Sequence, residues 1–276
     1  MKTNQIGIVQ GRLTASHGRG IQFFPFDNWQ NEFFVAAELG LSDIDFIFDL
    51  DRFEDNPLWT KTGRNTIRKI TNDSGVVVKH ITADFFMHQP FFRNSESVIR
   101  NNIFVLINLI HFAEEIGAKN IEVPLLDNSS AKTEKDKKTL ADSLSEVIAK
   151  TNKSDINLTL ETDLLPNPFL KLLEQIKEPR VKIVYDTGNS ASQGFNPKEE
   201  LTTLKDYLSH IHIKDRILKG DTVPLGAGNT KFDEIFQALN TLGFNGNFVL
   251  QAARGTDGKE KETVARYKKF VLNCLR

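Results

Sequence analysis

An α/β fold, a single (β/α)8 barrel, is what this sequence predicts, and three observations predict it. Eight short apolar runs alternate with eight helix-like segments from end to end of the chain. That alternation implies a parallel sheet, and the count favours a closed barrel over an open sheet. The chain has 276 residues, just above the roughly 250 that such a barrel needs. Finally, Glu161, Asp186 and His212 each stand at the C-terminal end of an apolar run, 25 and 26 residues apart, about one βα unit each. Consecutive strand ends of a barrel bring such residues together at one rim, where active sites sit.

Taken in order, the strand-like runs are 5–10, 43–48, 76–81, 120–124, 157–161, 181–186, 209–214 and 247–251. Helix-like segments fill 28–39, 63–72, 95–116, 132–152, 166–176, 197–207 and 231–242, and 259–275 closes the chain. The clearest helix is 95–116. Ile99, Ile103, Leu106, Ile110 and Ala113 recur at three- and four-residue steps, Ser95 suits the N-cap and Gly117 suits C′. In the next helix KTEKDKK alternates in sign and reads as a solvated face. Alternation orients the late strands. Asn157, Thr159 and Glu161 oppose Leu158 and Leu160; His210, His212 and Lys214 oppose Ile211 and Ile213; Asn247, Val249 and Gln251 oppose Phe248 and Leu250. With the apolar sets towards the helices, Glu161, His212 and Gln251 all point inward. No linker or low-complexity tract divides the chain, so residues 1–276 are expected to form one domain.

Composition narrows the function. Thirty-five basic and 36 acidic residues leave a net charge of −1, against the basic excess of a nucleic-acid-binding surface. No run reaches the ~20 apolar residues of a membrane span. The opening MKTNQIGIVQGRL enters a strand-like run without a signal peptide's apolar core. Cys274 is the sole cysteine, so no intramolecular disulfide can form. A cytoplasmic metabolic enzyme acting on a small molecule is the expectation.

Two carboxylates and an imidazole at one rim make a hard O/N site for one divalent cation: Mn2+, Mg2+, Zn2+ or Co2+. Such a cation polarises a chelated α-hydroxy carbonyl and stabilises the enediolate formed when an α-proton leaves. A carboxylate beside that carbon takes the proton, and Glu161 could serve as ligand and base.

LETDL, DTGN, HIKDR and VPLGAGN, in that order and spacing, resemble the xylose-isomerase-like superfamily of TIM barrels, which contains sugar and sugar-phosphate isomerases and epimerases. The resemblance spans essentially the whole chain. GIVQGRL and IQFFPFDNW are similar to a bacterial branch described as sugar phosphate isomerase/epimerase, while DTGN, HIKD and VPLGAG are most similar to ketopentose-phosphate 3-epimerases. The resemblance implies a metal held by a glutamate, an aspartate, a histidine and a second glutamate, with both glutamates moving protons. The first three fall on Glu161, Asp186 and His212; the fourth falls on Gln251.

Gln251 is the departure. Its amide oxygen can ligate a metal, but the amide cannot exchange a proton at neutral pH. Two-base epimerisation then needs a substitute acid, for which Asp84, Glu122 and His80, near the ends of earlier strands, are candidates; Glu122 would also line the substrate pocket. A one-base reaction is the alternative: aldose–ketose isomerisation, or dehydration as in the inosose dehydratases of the superfamily. A metal- or sugar-binding homologue that has lost turnover is a third reading.

The segment TVPLGAGNTKF places Gly226 and Gly228 before a helix. Backbone N–H groups there could hold a phosphate, with Lys214 and Arg216 neutralising it; a tight loop with a helix cap explains the same residues. Asn189 could face the substrate. Free-ketohexose epimerases tend to carry histidine at that place, so the resemblance tilts towards a phosphorylated or otherwise different substrate. Gln10 and Arg12 could line the pocket or serve structure. His17, His88 and His111 read as surface or core histidines. The Phe pairs at 23–24, 33–34, 85–86 and 91–92 read as core, and those after the first and third strands could form a pocket wall or the contact of a homo-oligomer.

Overall fold

The computed structural model describes residues 5–276. Its strands are β1 (Ile6–Val9), β2 (Asp43–Ile47), β3 (Val77–Thr82), β4 (Asn120–Leu125), β5 (Asn157–Thr162), β6 (Val181–Asp186), β7 (Leu208–Ile213), β8 (Asp215–Arg216), β9 (Thr222–Val223) and β10 (Asn247–Leu250). Its α-helices are α1 (Trp29–Glu38), α2 (Lys61–Ser74), α3 (Phe85–His88), α4 (Glu96–Ile116), α5 (Glu134–Lys150), α6 (Pro166–Ile176), α7 (Thr187–Gln193), α8 (Pro197–Leu204), α9 (Phe232–Thr241) and α10 (Glu260–Cys274). β8 and β9 form a small antiparallel pair, and the other eight strands close a parallel barrel in the order β1-β10-β7-β6-β5-β4-β3-β2. All eight expected strands are present. The short helices α3 and α7 and the β8–β9 pair are additions to the expected elements.

Local chemistry explains the helix ends. Ser95 caps α4 by accepting from the N–H of Val98, and Gly117 closes that helix with φ 79°. Thr133 and Asp136 form a reciprocal capping box that starts α5. Pro166 and Pro197 open α6 and α8, where a missing N–H has no cost.

Packing divides the chain into two compact units. One comprises residues up to Asp45, 70–77 and 184–276; the other comprises 46–69 and 78–183. In the first unit β10 pairs with β1 and β7, with Val249 beside His212. Phe236 of α9 stacks against Phe248 of β10 at 5.3 Å between ring centroids. Facing the other way, Asn247 donates to Asp43 at 2.7 Å. Gly7 of β1 lies so close to the Asp43 carboxylate that a Cβ there would collide with it.

In the second unit β4 pairs with β3 and β5, with Glu122 beside Thr82 and Thr159 and Pro124 beside Glu161. His80, Asn120 and Asn157 form a polar rung across these strands, with contacts of 2.9 Å each. Its apolar counterpart is an aromatic cluster of Phe48, Phe53, Trp59 and Phe85 with centroid separations of 5.2–6.0 Å. Phe85, Phe86, Phe91 and Phe92 are all buried. Buried polar side chains need hydrogen-bond partners, and His80, Asn157 and Asn247 find them on other strands of the same unit.

Candidate metal centre and active site

In the first unit, Asp45 on β2 and His212 on β7 meet with Oδ2 and Nε2 3.1 Å apart, and both side chains are 0% exposed. His210, two residues earlier on the same face of β7, brings its ring to 5.2 Å from that of His212. One ligand atom from each of Asp45, His210 and His212 lies within 4.8 Å of the others. Carboxylate oxygen and imidazole nitrogen suit a borderline or hard divalent cation. A carboxylate so deeply buried needs a compensating charge or a full set of hydrogen bonds, and His212 supplies one such contact. His212 was expected from the sequence. Asp45 and His210 carry no such signal, although His210 shares the inward face of His212.

Asp186 and Lys214 form a second group in this unit. One oxygen of Asp186 accepts the N–H groups of Gly188 and Asn189 at 2.9 and 2.7 Å, so the residue caps α7. Its other oxygen lies 2.9 Å from the Lys214 ammonium. A Cβ at residue 188 would run into the Lys214 side chain, so glycine is required there. Asn189 accepts from Arg216 at 2.9 Å, and the same guanidinium donates twice to the carbonyl of Gly220. Asp186, Asn189, Lys214 and Arg216 are therefore linked in one group by ion pairing and hydrogen bonds.

Of the two readings of Gly226 and Gly228, the contacts among the described residues fit the tight loop. Their N–H groups both donate to Oδ2 of Asp215 at 2.9 Å, and Thr230 N–H donates to Oδ1 at 3.0 Å. The N–H groups that could meet a phosphate are thus engaged by the carboxylate of Asp215 on β8. Asp215 is fully buried, and a side chain at residue 228 would collide with it. An isolated acidic residue in HIKDR gives little notice of this.

Gln251 follows β10 and is 4% exposed. Its Nε2 donates to Oε1 of Gln22 at 3.2 Å, while its own Oε1 is buried without a hydrogen-bond partner among the described residues. Buried acceptors are nearly always satisfied, so this atom suits a bound cation or hydroxyl. Nearby on α1, burial pushes the Glu32 carboxyl up to about 7, against the pull of hydrogen bonds from Gly11, Thr14 and Leu13.

In the second unit, Glu161 is buried near the end of β5 and Glu122 is buried on β4. Asp84 is buried between β3 and α3 and does not cap that helix with its side chain. His80 is held by Asn120 in the polar rung.

The family model for xylose isomerase-like TIM barrels matches residues 33–270, and the chain belongs to that family. A putative L-ribulose-5-phosphate 3-epimerase of Haemophilus influenzae is 22% identical, over 100% of this chain and 98% of the relative. An L-ribulose-5-phosphate 3-epimerase of Salmonella heidelberg is 21% identical over 88% of each chain. Among solved structures, D-allulose 3-epimerase from Methylomonas sp. superposes with a TM-score of 0.79 at 13% identity, covering 99% of this chain and 98% of that one. An L-ribulose 3-epimerase superposes at 0.75 with 17% identity, covering 99% and 94%. These superpositions show the shared fold.

Proposed function

We propose that this chain is a divalent-metal-dependent isomerase or epimerase of a sugar or sugar phosphate, acting through an enediolate with Glu161 as the base. The observation that supports the reading is the buried His212, held through Nε2 by Asp45, with the acceptor of Gln251, unmatched among the described residues, in the same unit. The names of the sequence relatives, both 3-epimerases of a ketopentose phosphate, favour a ketose or ketose phosphate as substrate. The ligands are Glu161, Asp186, His212 and Gln251. When bound, the cation supplies Lewis-acid polarisation of the substrate carbonyl. Because His212 directs Nε2 at Asp45, we assign Nδ1 as its ligating nitrogen and Asp45 as the group that fixes the ring, an arrangement common around metal-bound histidines.

Glu161 removes the proton beside the carbonyl, and Asp84 returns one on the opposite face. Asn189, Lys214, Arg216 and Glu122 hold substrate hydroxyl or phosphate oxygens. Gly226 and Gly228, fixed on Asp215, contribute by shaping the loop they belong to. A second reading is favoured by one residue: Gln251 cannot exchange protons, so a one-base dehydration of a polyol-derived ketone would use the same site.

The test is turnover of a panel of ketoses, ketose phosphates and inososes by chelator-treated protein before and after cation is restored. Cation-dependent conversion without loss of water supports the proposal. Conversion indifferent to chelation, or a dehydrated product, overturns it.

A further inference from the structure

Gln251 has an amide with two unlike ends, and only the oxygen suits a cation. Which end is turned to a cation depends on its neighbour Gln22 and, through it, on Arg12. Glu32 of α1 accepts the N–H groups of Gly11 and Leu13 at 2.9 and 3.0 Å and the Thr14 hydroxyl at 3.0 Å. That carboxylate grips both neighbours of Arg12. The buried Arg12 guanidinium donates Nε to the carbonyl of Ala252 at 3.0 Å and another N–H to the carbonyl of Ile21. It also donates to Oε1 of Gln22 at 3.4 Å.

A guanidinium has donors and no acceptor, so the end of the Gln22 amide facing Arg12 must be oxygen. That same oxygen receives Nε2 of Gln251 at 3.2 Å. The Gln251 amide is thereby turned with its NH2 towards Gln22 and its Oε1 away, and Oε1 is the buried acceptor without a protein partner among the described residues.

We infer that Arg12 and Gln22 are positioning residues that present Gln251 oxygen-first to the cation. A carboxylate at residue 251 would need no such help, because its two oxygens are equivalent. The inference rests on the reading that Gln251 is a metal ligand.

The test compares Gln22→Met in two backgrounds. In the metal-free protein, the Gln251 side-chain NH2 exchanges slowly with solvent by 15N NMR, and exchange accelerates in Gln22→Met. Affinity for Mn2+, read by titration calorimetry, falls about 10- to 100-fold in Gln22→Met, the range seen when an orienting partner of a metal ligand is lost. Gln22→Glu keeps the facing oxygen and does not show this loss. In a Gln251→Glu background Gln22→Met has no such effect. Equal losses in both backgrounds, or NH2 exchange unchanged by Gln22→Met, overturn the inference. Wild-type protein that binds no Mn2+ overturns the metal reading instead, and NH2 exchange then still decides whether Gln22 orients the amide.

Discussion

At the scale of single residues, the site is an arrangement of buried groups whose partners determine their chemistry. Asp45 and His212 are matched to each other at 3.1 Å, whereas Gln251 keeps one acceptor unmatched among the described residues. His212→Ala is expected to abolish cation binding, and Gln251→Glu to tighten it by adding a negative charge. Calorimetry with Mn2+ checks both, and full occupancy in His212→Ala or an unchanged affinity in Gln251→Glu contradicts them. Part of this site was legible beforehand. Strand alternation put His212 and Gln251 on inward faces because the side-chain period of a strand is two. Asp45 was harder to see: DIDFIF reads as an apolar run interrupted by two acids, and nothing local says that an acid on β2 will meet a histidine on β7. Asp215 was hidden for the same reason, since its partners lie 11 to 15 residues further along a loop.

At the scale of elements, length and apolar content decided what could be read. The eight barrel strands were recoverable because each is an apolar run bounded by polar turns, and α4 because it is long, capped and striped. α7 was not, since TGNSASQ has no apolar period and its start depends on the Asp186 side chain. α8 is tied to β6 and α7 through Glu200, which accepts from Tyr185 at 3.1 Å and from the Ser190 hydroxyl. Burial pushes the Glu200 carboxyl from 4.5 up to about 7. Its folded pKa is raised, so folding is favoured by the bound proton: this contribution is fully present below about 4.5 and is lost as pH rises through about 7. Glu200→Gln keeps an acceptor and removes the titration. Denaturant unfolding should therefore show a smaller fall in stability between pH 5 and 8 in this variant, by about 2–3 kcal/mol; an unchanged fall contradicts the assignment.

At the scale of the whole molecule, the family match spans most of the chain, and the eight parallel strands follow one another around a closed order. Among the described residues no helix is long and apolar enough to cross a membrane. We propose that residues 1–276 fold as one domain, so circular dichroism and tryptophan fluorescence should report the same denaturant midpoint; two separated transitions would contradict this. The central claim is proton abstraction beside a carbonyl, and its most direct test is proton NMR in D2O with Mg2+-loaded protein and the panel of ketoses, ketose phosphates and inososes. The account predicts that solvent deuterium enters one substrate at a single carbon next to the carbonyl, that Glu161→Gln stops this exchange, and that the product keeps the substrate's composition. Absence of exchange from every member of the panel, with the cation bound, would contradict it.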